Sequence, residues 1–203
     1  MKTLRNIVAT FLLLLFPLMA SADSVLTSTD FYKCYEDELI MSEVDPNQGV
    51  TQEVANYLFN PYNPIDVKMA VVNKLSWNIN GTSFALDYAE FLRYKYDTRN
   101  NATILKKLDS EQLIIYAYML AMSNYFDVKK AVEIAQMAVK KNDKKSFTVE
   151  FIASLIEAQN YMDSDWSKIY PTVNSVLMKQ NLHRDMRQSA INVVMEYVKL
   201  YNN

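Results

Sequence analysis

Glycine is almost absent from this chain. Only Gly49 and Gly81 occur in 203 residues. All-β proteins use glycine in tight turns, and phosphate-binding loops use it where the backbone approaches the ligand closely. A chain with two glycines is therefore a poor candidate for a β-sandwich, a dinucleotide-binding fold or a P-loop.

The apolar residues recur at helical spacing along almost the whole chain. One such stripe holds Phe84, Tyr88, Phe91 and Leu92. Short turns separate the stripes, and helices joined by short loops pack antiparallel to each other. The pattern predicts an all-α fold of stacked antiparallel helical hairpins with about nine helices, either α-solenoid-like or an irregular helical bundle.

Local signals place several helix ends. We predict a first helix over residues 29–44, which the turn sequence 45–49 ends. Asp109 is expected to cap a later helix, with Gln112 placed to complete a capping box. Pro171 lies inside a helical pattern, so it either kinks that helix or marks where the helix begins.

The first 22 residues have the three parts of a secretory signal peptide. Lys2 and Arg5 precede an apolar run at 7–19, and Ala20-Ser21-Ala22 supplies the small residues of a cleavage site. The run is shorter than the about 20 residues that a bilayer span needs. We predict that residues 1–22 are removed, that the protein is exported to the periplasm or the cell exterior, and that nothing then holds it in a membrane.

Residues 23–203 are predicted to form a single all-helical domain, in which the polar stretch 97–108 is a break between two halves. Loss of Lys2 and Arg5 with the leader moves the net charge from −2 to about −4. This balance gives no basic surface for nucleic acid. One cysteine excludes an internal disulfide, and an exported chain without disulfides is more typical of a bacterium than of a eukaryotic secretory pathway.

Most catalytic and metal sites need residues that this chain lacks. His183 is the only histidine, and Cys34 is the only thiol and lies on an apolar stripe that predicts burial. A zinc site needs three or four ligands. The loop at 45–49 lacks the closing glutamate of a calcium site, because Asn56 stands there, so it is interpreted as a turn. We predict no catalytic residue, no metal site and no cofactor.

The carboxylates leave one enzymatic alternative open. Glu150 and Glu157 are seven residues apart and share a helix face, which we expect to be solvated. Paired carboxylates can cleave glycosidic bonds, although no spacing singles out one pair here. A glycan-acting hydrolase or lyase that uses carboxylates alone is therefore the alternative to a non-catalytic protein.

Tyrosine is abundant, with 14 copies. Tyrosine is enriched in recognition surfaces, because it offers a large contact area at low entropic cost. Six tyrosines fall in predicted loops or at helix ends, and we predict that they line a groove for a protein or peptide partner or, as a second ligand class, a glycan: Tyr57, Tyr62, Tyr94, Tyr96, Tyr125 and Tyr161. The alternative is that they pack at the edge of the core.

Residues 113–143 resemble a tetratricopeptide-type helical hairpin. The second helix carries small residues at Ala131, Ala135 and Ala138, after a turn at 124–127. The family usually has an aromatic residue at the middle position and a proline after the helix, where this chain has Ala135 and Asp143. The resemblance implies an α-solenoid that binds a partner without catalysis. A structural periplasmic protein without a ligand is a third interpretation.

Overall fold

A computed structural model describes residues 24–77 and 84–202 of the chain. Within these ranges the fold is all-α, as predicted, with ten α-helices and no strand. One isolated backbone bridge joins Ser146 to His183. The predicted leader at 1–22, its cleavage site and the turn at Gly81 lie outside the described residues.

The helices follow one another with short connections. They are α1 (Ile40–Glu43), α2 (Gln52–Phe59), α3 (Ile65–Leu75), α4 (Phe84–Tyr96), α5 (Asn101–Lys107), α6 (Ser110–Ser123), α7 (Lys129–Lys140), α8 (Phe147–Asn160), α9 (Ile169–Leu177) and α10 (Gln188–Val198). Short 3₁₀ helices lie at Phe31–Tyr35, Trp166–Lys168 and Lys199–Tyr201.

The helices α6 to α9 form a stack in which each helix packs on the next, and α6 also contacts α8. Helix α3 packs against α6 and the 3₁₀ helix at Phe31–Tyr35, which in turn contacts α10. One hydrophobic core cluster includes Leu92 and Leu113, on either side of 97–108. The division into halves at that stretch stays a prediction. No helix in the described residues is long and apolar enough to cross a bilayer.

Several predicted helix ends are confirmed. The Asp109 carboxylate accepts a hydrogen bond from the Gln112 backbone N–H at 2.8 Å, and the Gln112 side chain accepts one from the Asp109 N–H at 3.2 Å. These two bonds form the capping box at the start of α6. Pro171 lies in the first turn of α9, where its missing N–H removes no helical hydrogen bond. Gly49 has a φ of 70°, which only glycine adopts without steric cost.

The helix predicted over 29–44 is wrong. The chain forms a five-residue 3₁₀ helix and then α1, and Leu39, within the range predicted as one helix, is 90% exposed. Side chains distant in sequence hold this irregular path. The Asn73 side chain accepts a hydrogen bond from the Tyr32 N–H at 3.1 Å, and the Tyr35 hydroxyl donates one to Asp66 at 3.0 Å.

The polar stretch at 97–108 contains a helix of its own, α5. The Asn100 side chain caps it by accepting a hydrogen bond from the Thr103 N–H at 3.2 Å. Ile104 in this helix and Leu108 after it are buried. The cap, the two buried side chains and the Lys141 ammonium, which donates to the Lys106 and Leu108 carbonyls, together hold this mostly polar segment.

Candidate functional site

A groove of about 420 Å³ lies between α7, α8 and α9, a volume within the usual range of ligand sites. The lining positions recur at intervals of three or four residues, so each helix contributes one face. The lining consists of Val132, Ala135, Gln136, Val139 and Lys140 from α7, Glu150, Ala153, Ser154 and Glu157 from α8, and Thr172, Ser175, Val176 and Lys179 from α9 and its C-terminal end.

Small side chains create the space. Ala135, Ala153 and Ser154 line the groove and are buried. Ala135 is one of the three alanines of α7 that the sequence analysis identified, with Ala131 and Ala138. A larger side chain at this position would fill the space between the helices. The Ser154 hydroxyl donates to the Phe151 carbonyl at 2.7 Å, so its oxygen can still accept a hydrogen bond.

Glu150 and Glu157 share one face of α8, as predicted, but this face lines the groove and is not fully solvated. Both line the groove, and only 13% of the Glu150 side chain is exposed. The Lys179 ammonium lies 2.5 Å from the Glu150 carboxylate, and the Asn142 amide donates to it at 3.5 Å. The Glu150 charge is therefore balanced within the protein.

Glu157 is half-buried and has a different environment. The Tyr161 hydroxyl donates a hydrogen bond to its carboxylate at 3.2 Å. No lysine or arginine of the described residues lies within ion-pair distance of it. The nearby Lys168 pairs instead with Asp165 at 3.3 Å and lies over the Tyr161 ring, 5.3 Å from its centroid.

Burial raises the pKa of Tyr161, and the negative charge of Glu157 raises it further. The tyrosine therefore keeps its proton and stays a hydrogen-bond donor to the carboxylate at neutral pH. This hydroxyl satisfies one of the acceptor positions of Glu157 without neutralising its charge.

The two ends of the groove differ in charge. Glu150 lies near the N-terminal end of α8. Its ion pair with Lys179 places the C-terminal end of α9 there, and its hydrogen bond with Asn142 places the C-terminal end of α7 there. That end therefore has two lysines, Lys140 and Lys179, and one carboxylate. Glu157 lies two helical turns along α8, about 10 Å away by helical rise. Among the lining residues, this end has the Glu157 carboxylate, whereas both lining lysines are at the other end.

The six predicted tyrosines lie in different surroundings. Tyr161 reaches the groove through Glu157, as described above. Tyr57 and Tyr96 are half-buried and pack against the core, and Tyr96 also donates to Gln112 at 3.3 Å. Burial raises the pKa of both residues, that of Tyr57 to about 12.

The other three tyrosines lie away from the groove lining. Tyr62 is 92% exposed and Tyr94 is 87% exposed. The Tyr125 ring contacts Phe126 in a tilted arrangement, with 4.3 Å between centroids. No ring contact in the described part of the chain joins any two of the six. That the six line one groove stays a prediction.

Cys34 and His183 contact different residues. Cys34 is half-buried rather than fully buried, and its carbonyl accepts from the Arg187 guanidinium at 2.8 Å. The His183 side chain is 76% exposed, and its Nδ1 lies 4.0 Å from the Asp185 carboxylate. Residues 24–77 and 84–202 contain no group of three His, Cys, Asp or Glu side chains arranged to hold a metal ion.

The chain matches no protein-family model, no curated protein and no solved structure. The tetratricopeptide-like resemblance of residues 113–143 therefore stays a prediction. Sequence reasoning missed the groove, although the shared helix face of Glu150 and Glu157 was visible. The α9 residues that form the opposite wall come close only through the packing of α9 on α8.

Proposed function

We propose that the protein is an exported, non-catalytic helical domain that binds a peptide, or an extended segment of a partner protein, in the groove between α7, α8 and α9. One observation carries the proposal. Three helix faces meet around an open space with buried small residues, apolar walls from Val132 and Val176, and polar or charged groups at the rim. Mostly apolar concave sites with a few placed polar groups are typical of ligand binding.

The two carboxylates in the groove support binding better than glycoside cleavage. Glycosidases need a pair of carboxyl groups that face one substrate bond. Glu150 and Glu157 lie seven residues apart on α8, with about 10 Å between their backbones along the helix axis, and they have different hydrogen-bond partners. Glu150 is also held by Lys179 at 2.5 Å. Both oxygens of Glu150 therefore already have partners, one in the Lys179 ammonium and the other in the Asn142 amide.

The test is peptide selection on the purified protein. The chain from Asp23 onward contains all the described residues, so this form can be immobilised and panned with a phage-displayed library of random peptides. We expect a recurring peptide motif to be enriched. The variant Ser175→Trp should abolish the enrichment, because residue 175 is exposed on the groove wall and an indole there occupies the space.

Ser123→Trp is the matched control, because Ser123 is also exposed but lies at the end of α6, outside the groove lining. It should keep the enrichment, and both variants should keep the melting temperature of the wild type. Absence of any enriched motif, or a motif that survives Ser175→Trp, would overturn the proposal.

A further inference from the structure

We infer that the peptide carries a lysine or arginine whose cation pairs with Glu157. This inference rests on the proposed function of the groove. A carboxylate that lines a groove and has no cation beside it is a good partner for a cationic ligand, because a hydrogen bond between two charged groups is stronger than one to a neutral group. Glu157 is such a group, since within residues 24–77 and 84–202 its carboxylate accepts a hydrogen bond from the Tyr161 hydroxyl at 3.2 Å and has no lysine or arginine within ion-pair distance. A basic side chain from a ligand supplies the missing countercharge.

The protein's own lysines do not supply that countercharge. Lys179 is held by Glu150 at 2.5 Å, at the other end of the groove. Lys168 is held by Asp165 at 3.3 Å. Both side chains would have to break an existing ion pair to reach Glu157. A ligand cation breaks none.

The surrounding groups fit a long basic side chain. Val132 and Ala153 line the groove and offer apolar surface to its methylene groups, while its charged end meets the carboxylate. The opposite end of the groove has Lys140 and Lys179 against Glu150 alone, and so repels a second cation. The charge difference between the ends therefore specifies where along the bound peptide the basic residue lies.

Peptides recovered by the panning provide the test. Each is resynthesised with every lysine or arginine replaced in turn by norleucine, and its affinity is measured by fluorescence anisotropy. We expect one replacement to weaken binding about tenfold, as for loss of a hydrogen bond to a charged group. On Glu157→Gln the parent peptide should bind about tenfold more weakly, and that norleucine replacement should have no further effect.

Glu133→Gln is the matched control, because Glu133 lies on α7 outside the groove lining and pairs with Lys130 at the surface. Glu133→Gln should bind the parent peptide and its norleucine variants with the same affinities as the wild type. The failures of the two proposals can be distinguished. This inference is overturned if the selected peptides lack basic residues. It is also overturned if the norleucine replacements weaken binding equally to the wild type and to Glu157→Gln. In both cases the proposal that the groove binds a peptide is unaffected. If no peptide is selected, both fall.

Discussion

The Lys68 ammonium is buried within the helical stack and lies 3.2 Å from the Glu111 carboxylate, with only 2% of the lysine side chain exposed. Glu111 has a second partner, since Lys144 lies 2.9 Å from its other oxygen. The two lysines are unequal, because 76% of the Lys144 side chain is exposed. This pair therefore links α3 to the first turn of α6 through a charge that water does not reach.

Removal of the two buried partners should have unequal effects. Glu111→Gln leaves the buried Lys68 ammonium without a countercharge, and we expect it to lower the free energy of unfolding by about 3 kcal/mol. Lys68→Met should cost much less, because Glu111 keeps Lys144 and is partly exposed. Urea denaturation measures the free energy of unfolding of both variants. Lys144→Met is the control for an exposed ion pair, and it should lower that free energy by less than about 1 kcal/mol. Equal losses for Glu111→Gln and Lys68→Met would contradict this account.

Two buried tyrosines should respond oppositely to loss of their hydroxyl. Tyr88 and Tyr118 are both fully buried. The Tyr88 hydroxyl has no hydrogen-bond partner in the described part of the chain, whereas the Tyr118 oxygen accepts from the Asn73 amide at 3.0 Å. We expect Tyr88→Phe to stabilise the protein by about 1 kcal/mol, and Tyr118→Phe to destabilise it by about 1–2 kcal/mol, in chemical denaturation.

The comparison is direct, because both changes remove one oxygen from a tyrosine in the same core. Tyr118→Phe leaves the Asn73 amide with a single remaining acceptor, the Thr29 carbonyl at 3.0 Å. A change of the same sign and size at both positions would show that these hydrogen bonds do not control the difference.

Local signals in the sequence predicted the parts of the fold that depend on local interactions. The capping box of Asp109 and Gln112 formed because both partners lie within one helical turn. Residues 31–43 did not form the predicted helix, because Asn73, Asp66 and Arg187 hold that segment from other parts of the chain. Contacts over such separations leave no periodic pattern in a single sequence.

The groove illustrates the same limit. The shared face of Glu150 and Glu157 follows from helical spacing alone, and so was visible in the sequence. Its burial depends on α9 and the residues that follow it, where Lys179 pairs with Glu150, 29 residues earlier in the chain. Periodicity indicates which residues share a helix face, but it does not indicate which helix covers that face.

Stability should fall at alkaline pH, and Tyr57 should contribute to the fall. Burial, followed by the charges of Glu38 and Asp66, raises the pKa of Tyr57 to about 12, from about 10 in an unfolded chain. The folded protein therefore binds this proton more tightly than the unfolded chain does. The associated stability is fully present below about pH 10 and is lost as the pH rises towards 12.

Urea denaturation at about pH 8 and about pH 11 measures this loss. Buried tyrosines such as Tyr88 share in it, because burial raises the pKa of Tyr88 as well. Tyr57→Phe should make the fall with pH shallower, whereas the same change at Tyr62, which is 92% exposed, should leave it as in the wild type. Identical pH profiles for the two variants would refute a role for Tyr57.

The chain after the predicted cleavage site should be needed for stability from its second residue onward. Ser24, Val25 and Leu26 are fully buried, and the Ser24 hydroxyl donates to the Gln159 side chain at 2.6 Å. The Gln159 amide in turn donates to the Tyr125 carbonyl at 3.0 Å. These two hydrogen bonds and the burial of Val25 and Leu26 therefore hold the turn at residues 24–28 against the end of α8.

A protein that starts at Asp23 and one that starts at Thr29 should differ in thermal stability. The shorter form loses two fully buried aliphatic side chains, each worth about 1.5–3 kcal/mol, so we expect it to be at least 3 kcal/mol less stable. Gln159→Leu, which removes the two hydrogen bonds but keeps the turn, should cost about 2 kcal/mol. Melting temperatures and urea denaturation measure all three proteins. If the proteins that start at Asp23 and at Thr29 are equally stable, the burial of Val25 and Leu26 contributes nothing to the free energy of unfolding, and this prediction is wrong.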